Sequence, residues 1–247
     1  MIKLVINLTK AIVVTLVAVL FGSCNMNMNL GGLKKVEGNG NVMTKSRDVS
    51  DFTSVSASNG LEVILVQGPT SEIKVEADEN LHQHIKTEVN EGELKIFTDA
   101  NLRNAKEKKV YVQLAKLNTL ESSSGASVTS KNAFDNTSMN VSSSSGSEID
   151  LKVNVASLNC QSSSGSEIKV SGKADKLDTE SSSGSSIDAK QLTTKTAFAD
   201  SSSGSSIDLQ SPETLTAEAS SGSSISYETE PKTLQKKASS GGSIGRD

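Results

Sequence analysis

The chain has 247 residues, of which 34% are hydrophobic and 3% aromatic, with no tryptophan and a formal net charge of −4. This length suffices for one large or two modest domains, and the mildly acidic balance argues against a nucleic-acid partner, which would need a basic stripe. Abundant serine and glycine suit a disordered linker, but regularly spaced isoleucine, leucine and valine exclude one, because a linker needs no apolar residues in register.

Residues 1–23 have the pattern of a lipoprotein signal peptide. Their apolar stretch, 11–21, is too short to span a bilayer comfortably and suits a signal-peptide core. Small residues lead into Cys24 as in a lipobox, although Phe21 stands where leucine is usual. We predict that Cys24 is lipidated and anchors the chain to a membrane, with residues 24–35 as a polar tether. A signal anchor and ordinary cleavage are the alternatives.

Residues 36–116 predict an irregular all-β region that leads into the rest of the chain and caps it. Its apolar and alternating stretches have the period of strands; they are 61–66, 73–77, 94–97 and 110–114. Asn90-Glu91-Gly92 is typical of a hairpin turn. Residues 78–84 predict one helical turn with Asp78 as its cap.

Residues 117–247 carry a repeat whose corner reads Ser-Ser-Ser-Gly-Ser-x-Ile. Seven copies are separated by 21, 19, 19, 20, 18 and 19 residues, and their glycines are Gly125, Gly146, Gly165, Gly184, Gly204, Gly222 and Gly241. This period is too short for helical-pair repeats, and the signature of leucine-rich repeats is missing. It suits one turn of a β-solenoid, so we predict a right-handed parallel β-helix of about seven coils of ~19 residues.

Aligning the copies on the glycine shows which side chains face the core. The third residue after the glycine is apolar in every copy, as expected on one face of a strand. These residues are Val128, Ile149, Ile168, Ile187, Ile207, Ile225 and Ile244. A second inward row, five residues before the glycine, includes Leu120 and Cys160 and ends at Lys236, where a polar cap is expected. Each row stacks at the ~4.8 Å spacing of adjacent strands, which buries the core.

The Ser-Ser-Ser-Gly corner also has a physical explanation. Glycine permits a positive φ at the bend, and serine is small enough for a tight inner corner. Serine hydroxyls stacked coil over coil can both donate and accept, so we expect a hydrogen-bonded ladder along the corners.

Short motifs follow one another in a distinctive order along the chain. They are Gly38–Val42, Phe52–Val55, Asn59–Val63, Val75–Leu81 and the recurring Ser-Gly-Ser-x-Ile. Together they resemble the putative auto-transporter adhesin, head GIN domain family. The resemblance implies a secreted or lipid-anchored β-helical protein of Gram-negative bacteria, and it supplies no catalytic residues to carry over.

Carboxylates on neighbouring coils form the candidate binding surface. Glu148 and Glu167 lie two residues after their glycines, and Asp188 and Asp208 lie four after theirs, so each pair stacks about one strand spacing apart. Such pairs raise a pKa or recruit a cation, which would give a weak metal or glycan site or an acid/base pair. Alternation instead turns both rows to solvent, where salt screens the repulsion, and we favour this interpretation.

The other chemistry-bearing residues predict no catalytic site, metal site or cofactor. The sequence has two histidines, His82 and His84, whose spacing turns them in different directions. Cys160 falls in an inward row and is expected to be a buried small hydrophobe. Phe198 and Tyr227 are isolated, whereas glycan-binding platforms usually show more aromatic residues.

These observations predict a non-enzymatic, lipid-anchored protein of the cell envelope. We expect an outer-membrane lipoprotein, facing the periplasm or the cell surface, that acts as an adhesin, a binding module or a scaffold for a protein or glycan partner. The alternative is a carbohydrate-active β-helix enzyme, a polysaccharide lyase or hydrolase that uses the stacked carboxylates. A sensory or assembly role in the envelope is a third hypothesis.

Overall fold

Stacked parallel strands dominate the computed structural model, which describes residues 33–247. The predicted signal peptide, the lipidation site Cys24 and the tether as far as residue 32 lie outside the described residues. Residues 33–247 contain a 3-10 turn at Glu79–Leu81 and no α-helix. In this part of the chain, no helix has the length and apolarity to cross a bilayer. Lys35–Asp247 form one compact unit.

Residues 33–247 run through twenty strands. Before the repeat they are β1 (Lys35–Glu37), β2 (Val42–Arg47), β3 (Ser54–Ala57), β4 (Glu62–Gln67), β5 (Glu72–Asp78), β6 (Ile85–Asn90), β7 (Glu93–Thr98), β8 (Asn101–Arg103) and β9 (Lys108–Leu114). In the repeat they are β10 (Thr119–Ser122), β11 (Ser127–Ser130), β12 (Phe134–Ser143), β13 (Glu148–Ser162), β14 (Glu167–Ser181), β15 (Ser186–Ser201), β16 (Ser206–Leu209), β17 (Thr214–Ala219), β18 (Ser224–Tyr227), β19 (Thr233–Ala238) and β20 (Ser243–Arg246). β13, β14 and β15 each run from one corner to the next.

Successive coils of the repeat pair in register through parallel strands. Ile149, Ile168 and Ile187 are direct partners on β13, β14 and β15, and all three are 0% exposed. Burying a side chain of this size contributes about 1.5–3 kcal/mol, and a single coil has no other surface against which to bury it. The predicted β-solenoid of about seven turns is therefore confirmed.

Each corner is a tight turn in which two residues, not one, adopt the left-handed conformation. Ser203 has φ 54° and Gly204 has φ 72°, and the amide of Ser205 donates to the carbonyl of Ser202 at 3.3 Å. Two positive φ values in succession are the signature of a type I′ turn. Glycine adopts the second position without strain, while serine carries the left-handed conformation at the first.

The predicted serine ladder is confirmed, and its bonds run from hydroxyl to backbone. At five of the seven corners a serine follows the glycine and donates its hydroxyl to a carbonyl of the preceding coil at 2.6–2.8 Å. The donor–acceptor pairs are Ser147–Ser122, Ser166–Ser143, Ser185–Ser162, Ser205–Ser181 and Ser223–Ser201. All five donors are buried. Since an unpaired buried hydroxyl costs about 1–3 kcal/mol, the ladder fixes both the corner and its register.

The stacked strands continue on the N-terminal side of the repeat. β3 pairs in parallel with β10, and β4 with β11. Asn59 (φ 61°) and Gly60 (φ 68°) form the corner between β3 and β4, and the amide of Gly60 donates to the carbonyl of Ser124 at 3.0 Å. The Asn-Gly pair thus makes the same turn as Ser-Gly. The predicted boundary at residue 117 marks the start of the serine repeat, whereas the stacking extends across it.

Antiparallel strands join the solenoid at this end. β5 lies between β2 and β9, and β6 pairs with β7. The predicted hairpin turn at residues 90–92 is confirmed, with Glu91 and Gly92 both at positive φ. At the opposite end, β19 and β20 form the last coil. Lys236 is exposed there, as expected for a polar terminal coil.

Asp78 fixes the N-terminal loop instead of capping the 3-10 turn. It makes no side-chain cap bond, so the predicted cap is wrong. Its fully buried carboxylate accepts the backbone amides of Gly40 (2.7 Å), Lys106 (3.0 Å) and Glu107 (3.1 Å). Burial raises the pKa of Asp78, but these three donors outweigh it and hold the pKa below its usual value. A Cβ on Gly38 would lie 2.3 Å from the carboxylate, which accounts for glycine there.

His82 lies buried beside this loop. Its Nε2 is 3.1 Å from the carbonyl oxygen of Met43, and its Nδ1 has no partner among the described residues. Burial, together with the charges of Lys45 and Arg47, lowers the pKa of His82 from its ordinary 6.5. The folded state therefore favours the neutral imidazole.

We expect His82 to lower the free energy of unfolding at mildly acidic pH, above the pH range in which carboxylates titrate. Because its pKa is lower in the folded than in the unfolded chain, the stability it contributes is present above pH ~6.5 and is lost as the pH falls below that value. Denaturant unfolding between pH 7.5 and 5.0 measures this slope. His82→Gln should flatten the slope. An unchanged slope in His82→Gln would contradict the assignment.

Gly172 occupies a place in the stack where no side chain fits. It has φ 106° and stands between Val153 and Leu192 on the neighbouring coils. A Cβ would lie 2.1 Å from the carbonyl oxygen of Val153, whereas a Cβ on the corner residue Gly184 would meet nothing within 4 Å. The two glycines are therefore required for different reasons.

We expect Gly172→Ala to destabilise the protein by about 3 kcal/mol, at the upper end of overpacking costs. Gly184→Ala carries only the backbone cost of a left-handed alanine, about 1 kcal/mol. Chemical denaturation of both variants measures the difference. Equal losses would show that backbone conformation alone, and not the contact with Val153, demands glycine at residue 172.

Candidate functional site

Glu148 and Glu167 stack on neighbouring coils as predicted. They are direct register partners at the start of β13 and β14, and both side chains are exposed. Neither takes part in an ion pair within 33–247. The pair is thus a solvated surface feature, open to a partner and not enclosed by a pocket wall.

Asp188 and Asp208 also stack as predicted, but both are engaged by their surroundings. They are register partners on β15 and β16. Asp188 accepts the backbone amide of Lys190 at 3.0 Å, and Asp208 accepts the hydroxyl of Ser226. The Lys190 ammonium lies 4.0 Å from Asp208 and 3.0 Å from Asp247. These contacts compensate the negative charges and leave the two carboxylates little freedom for acid/base chemistry.

The remaining predicted groups lie apart from these rows. His84 contacts Asp99, with 2.7 Å between Nδ1 and the carboxylate oxygen, while His82 points inward. The described part of the chain contains no group of three His, Cys, Asp or Glu side chains arranged to hold a metal ion. Cys160 is buried as predicted. Burial, with a smaller contribution from Asp178, raises the pKa of its thiol to about 12.

Another face of the solenoid carries a groove that the sequence interpretation did not single out. It has a volume of about 360 Å³ and crosses four coils on the strands that precede the corners. One wall is the row four residues before each glycine: Ser142, Gln161, Glu180 and Asp200. The other is the row two residues before it: Ser144, Ser163, Ser182 and Ser202. Aligning the outward as well as the inward positions on the glycine would have revealed both rows.

The groove is lined by polar groups, none of which is cationic. Glu180 and Asp200 are register partners and both are exposed. The amide of Gln161 donates to Glu180 at 3.4 Å, and no Lys, Arg or His belongs to the lining. Phe198 precedes Asp200 by two residues on the same strand and is only half-buried, so it lies on the same face of the strand as Asp200. The groove itself offers hydroxyls, one amide and two carboxylates.

The chain matches the model of a known protein family. The family model described as putative auto-transporter adhesin, head GIN domain, matches residues 51–231. The chain belongs to this family. The resemblance drawn from the sequence motifs is thereby confirmed, and membership places the protein among adhesin-type proteins of the cell surface or envelope.

Solved structures share the architecture at low sequence identity. A putative adhesin from Bacteroides fragilis is 19% identical with a TM-score of 0.81, over 86% of this chain and 100% of that one. A putative lipid binding protein from Parabacteroides distasonis is 21% identical with a TM-score of 0.72, over 87% and 100%. A putative adhesin from Parabacteroides merdae is 17% identical with a TM-score of 0.68, over 87% and 99%. No curated protein matches the sequence. These likenesses establish the fold.

We expect the Cys160 thiol to be inert in the folded protein. A thiol reagent reacts with the thiolate, which a buried group with a pKa of about 12 does not form at pH 8. In a Cys24→Ser background, Ellman's reagent should label Cys160 only after denaturation. Ser163→Cys in the same background supplies a partly exposed thiol that should react without denaturation. Rapid labelling of Cys160 without unfolding would contradict its burial in the stack.

Proposed function

We propose that this protein is a non-enzymatic, lipid-anchored binding module of the cell envelope, with the adhesin role that its family's description names. The observation that carries the proposal is family membership over residues 51–231. The fold supports it, because in-register coils hold outward side chains at fixed spacing along a rigid surface. Such a surface suits a protein or glycan partner. The net charge of −4 disfavours nucleic acid.

The membrane anchor is the acylated Cys24. It follows an apolar signal-peptide core and precedes a polar, glycine-containing segment. Two or three acyl chains on one cysteine give stable anchoring, since each buried methylene contributes about 0.8 kcal/mol. The segment up to residue 35 then links the lipid to the solenoid. The outer membrane is the membrane that we propose.

The absence of enzymatic activity is part of the proposal. An acid/base pair on this surface would be Asp188 and Asp208 or Glu148 and Glu167. The aspartates are engaged by Lys190 and Ser226, and the glutamates are exposed to solvent, whereas acid/base catalysis needs free carboxyl groups and a substrate held in a fixed orientation beside them. Binding makes no such demand on either pair.

The anchor is tested by growing a Gram-negative host that expresses the full chain with an alkyne analogue of palmitate. We expect the wild-type chain to take up the label and to sediment with membranes, and Cys24→Ala to do neither. Cys160→Ala, which removes the other cysteine, should behave as wild type. Labelled Cys24→Ala protein would contradict the lipid anchor. Protease added to intact cells then locates the solenoid, since digestion supports adhesion and protection argues against it.

The non-enzymatic assignment is tested by incubating the purified chain with a panel of polysaccharides and measuring new reducing ends and unsaturated products. We expect neither. Product formation that is lost in the double variant Glu148→Gln/Glu167→Gln, or in Asp188→Asn/Asp208→Asn, would replace the proposal with a polysaccharide hydrolase or lyase.

A further inference from the structure

The groove on the strands before the corners has the form of a binding site for an extended chain. It crosses four coils, so it runs along the solenoid axis for three strand spacings, about 14 Å. One wall presents a serine hydroxyl at every coil, and the other presents a hydroxyl, an amide and two carboxylates in turn. A ligand that fits it is linear and carries hydrogen-bonding groups along its length.

The lining narrows the class of that ligand. It contains no cationic side chain. A phosphate, a sulfate or an acidic polysaccharide would therefore find no opposite charge in the groove and would be repelled by Glu180 and Asp200. The lining contains no apolar side chain, so a lipid tail or an apolar peptide anchor finds no partner. β13, β14 and the second half of β15 pair with neighbours on both sides, so they offer no free edge to an added peptide strand.

Sugar hydroxyls are the ligand groups that fit the hydroxyl, amide and carboxylate lining of the groove. A hydroxyl both donates and accepts, and a carboxylate or amide can engage two neighbouring hydroxyls of one ring. Glu180 and Asp200 have no ion pair among the described residues, so their oxygens are available to such donors. Phe198, partly exposed and two residues before Asp200 on the same face of the strand, supplies an apolar surface for the face of a pyranose ring.

We propose that this groove binds an uncharged oligosaccharide of three or four sugars, lying along the solenoid axis. A β-1,4-linked pyranose chain advances per sugar by about one strand spacing, ~4.8 Å, so one sugar lies at each coil and alternate sugars, which are turned over, present opposite edges to the groove. Glu180 and Asp200 accept hydrogen bonds from neighbouring sugars, and Phe198 stacks on one ring. This inference rests on the proposed binding function and assigns its ligand class and its site.

The test measures binding of the full chain, carrying its lipid anchor and held in detergent, to tetrasaccharides by calorimetry. The probes are β-1,4-linked tetramers of glucose, mannose and N-acetylglucosamine, with tetragalacturonate as the acidic comparison. We expect at least one uncharged tetramer to bind and tetragalacturonate not to bind. Glu180→Ala/Asp200→Ala should weaken binding by about tenfold or more, and Phe198→Ala by about fivefold. The matched control Glu148→Ala/Glu167→Ala removes an equivalent stacked pair on another face and should bind as wild type.

Each other outcome overturns the inference in a recognisable way. Binding that is lost in the Glu148/Glu167 variant and kept in the Glu180/Asp200 variant moves the site to the other face. Binding of tetragalacturonate alone, or of no tetramer, removes the uncharged glycan as ligand. In that case a purified protein partner that still binds the chain would preserve the proposed function, whereas sugar-releasing activity would overturn both. Unchanged melting temperatures of all three variants establish that they fold.

Discussion

In-register stacking of parallel coils is the constraint on which the whole structure depends. Adjacent strands must lie one hydrogen-bond spacing apart, ~4.8 Å, so whatever occupies an inward position on one coil contacts its counterpart on the next. The isoleucine row satisfies this with identical side chains, and the serine ladder satisfies it with hydroxyls that reach the preceding coil. Among the described residues, the two buried polar side-chain atoms that lack a partner belong to Arg47 and His82, both outside the repeat.

The same constraint places few demands on the side chains at the outward positions. A residue that faces solvent between two corners need only tolerate a strand, so its charge and size can change from coil to coil without disturbing the core. Stacked carboxylates arise on two faces in this way: those near Lys190 are compensated by structural contacts, and those of the groove are not. The regular rise that buries the core therefore also spaces a row of binding groups.

At the N-terminal end, different residues meet the same requirement. Asn59-Gly60 makes the left-handed pair that Ser-Gly makes elsewhere, because asparagine tolerates a positive φ better than most residues. Asp78 stabilises the antiparallel strands that follow, because its carboxylate accepts hydrogen bonds from backbone amides of two separate loops. A buried carboxylate is stable there because its oxygens are satisfied.

Sequence alone determined the solenoid, its period, its inward rows and the hairpin at residues 90–92. All of these follow from local turn chemistry and from the alternation of inward and outward residues, which recurs in seven copies of the repeat. It also placed the carboxylate pairs on neighbouring coils. Only the tertiary structure decided that Asp78 holds a distant loop, that Gly172 faces a carbonyl of the preceding coil, and that two outward rows enclose a groove. These features join residues far apart in the chain or depend on the space between coils, and neither is written in the local pattern.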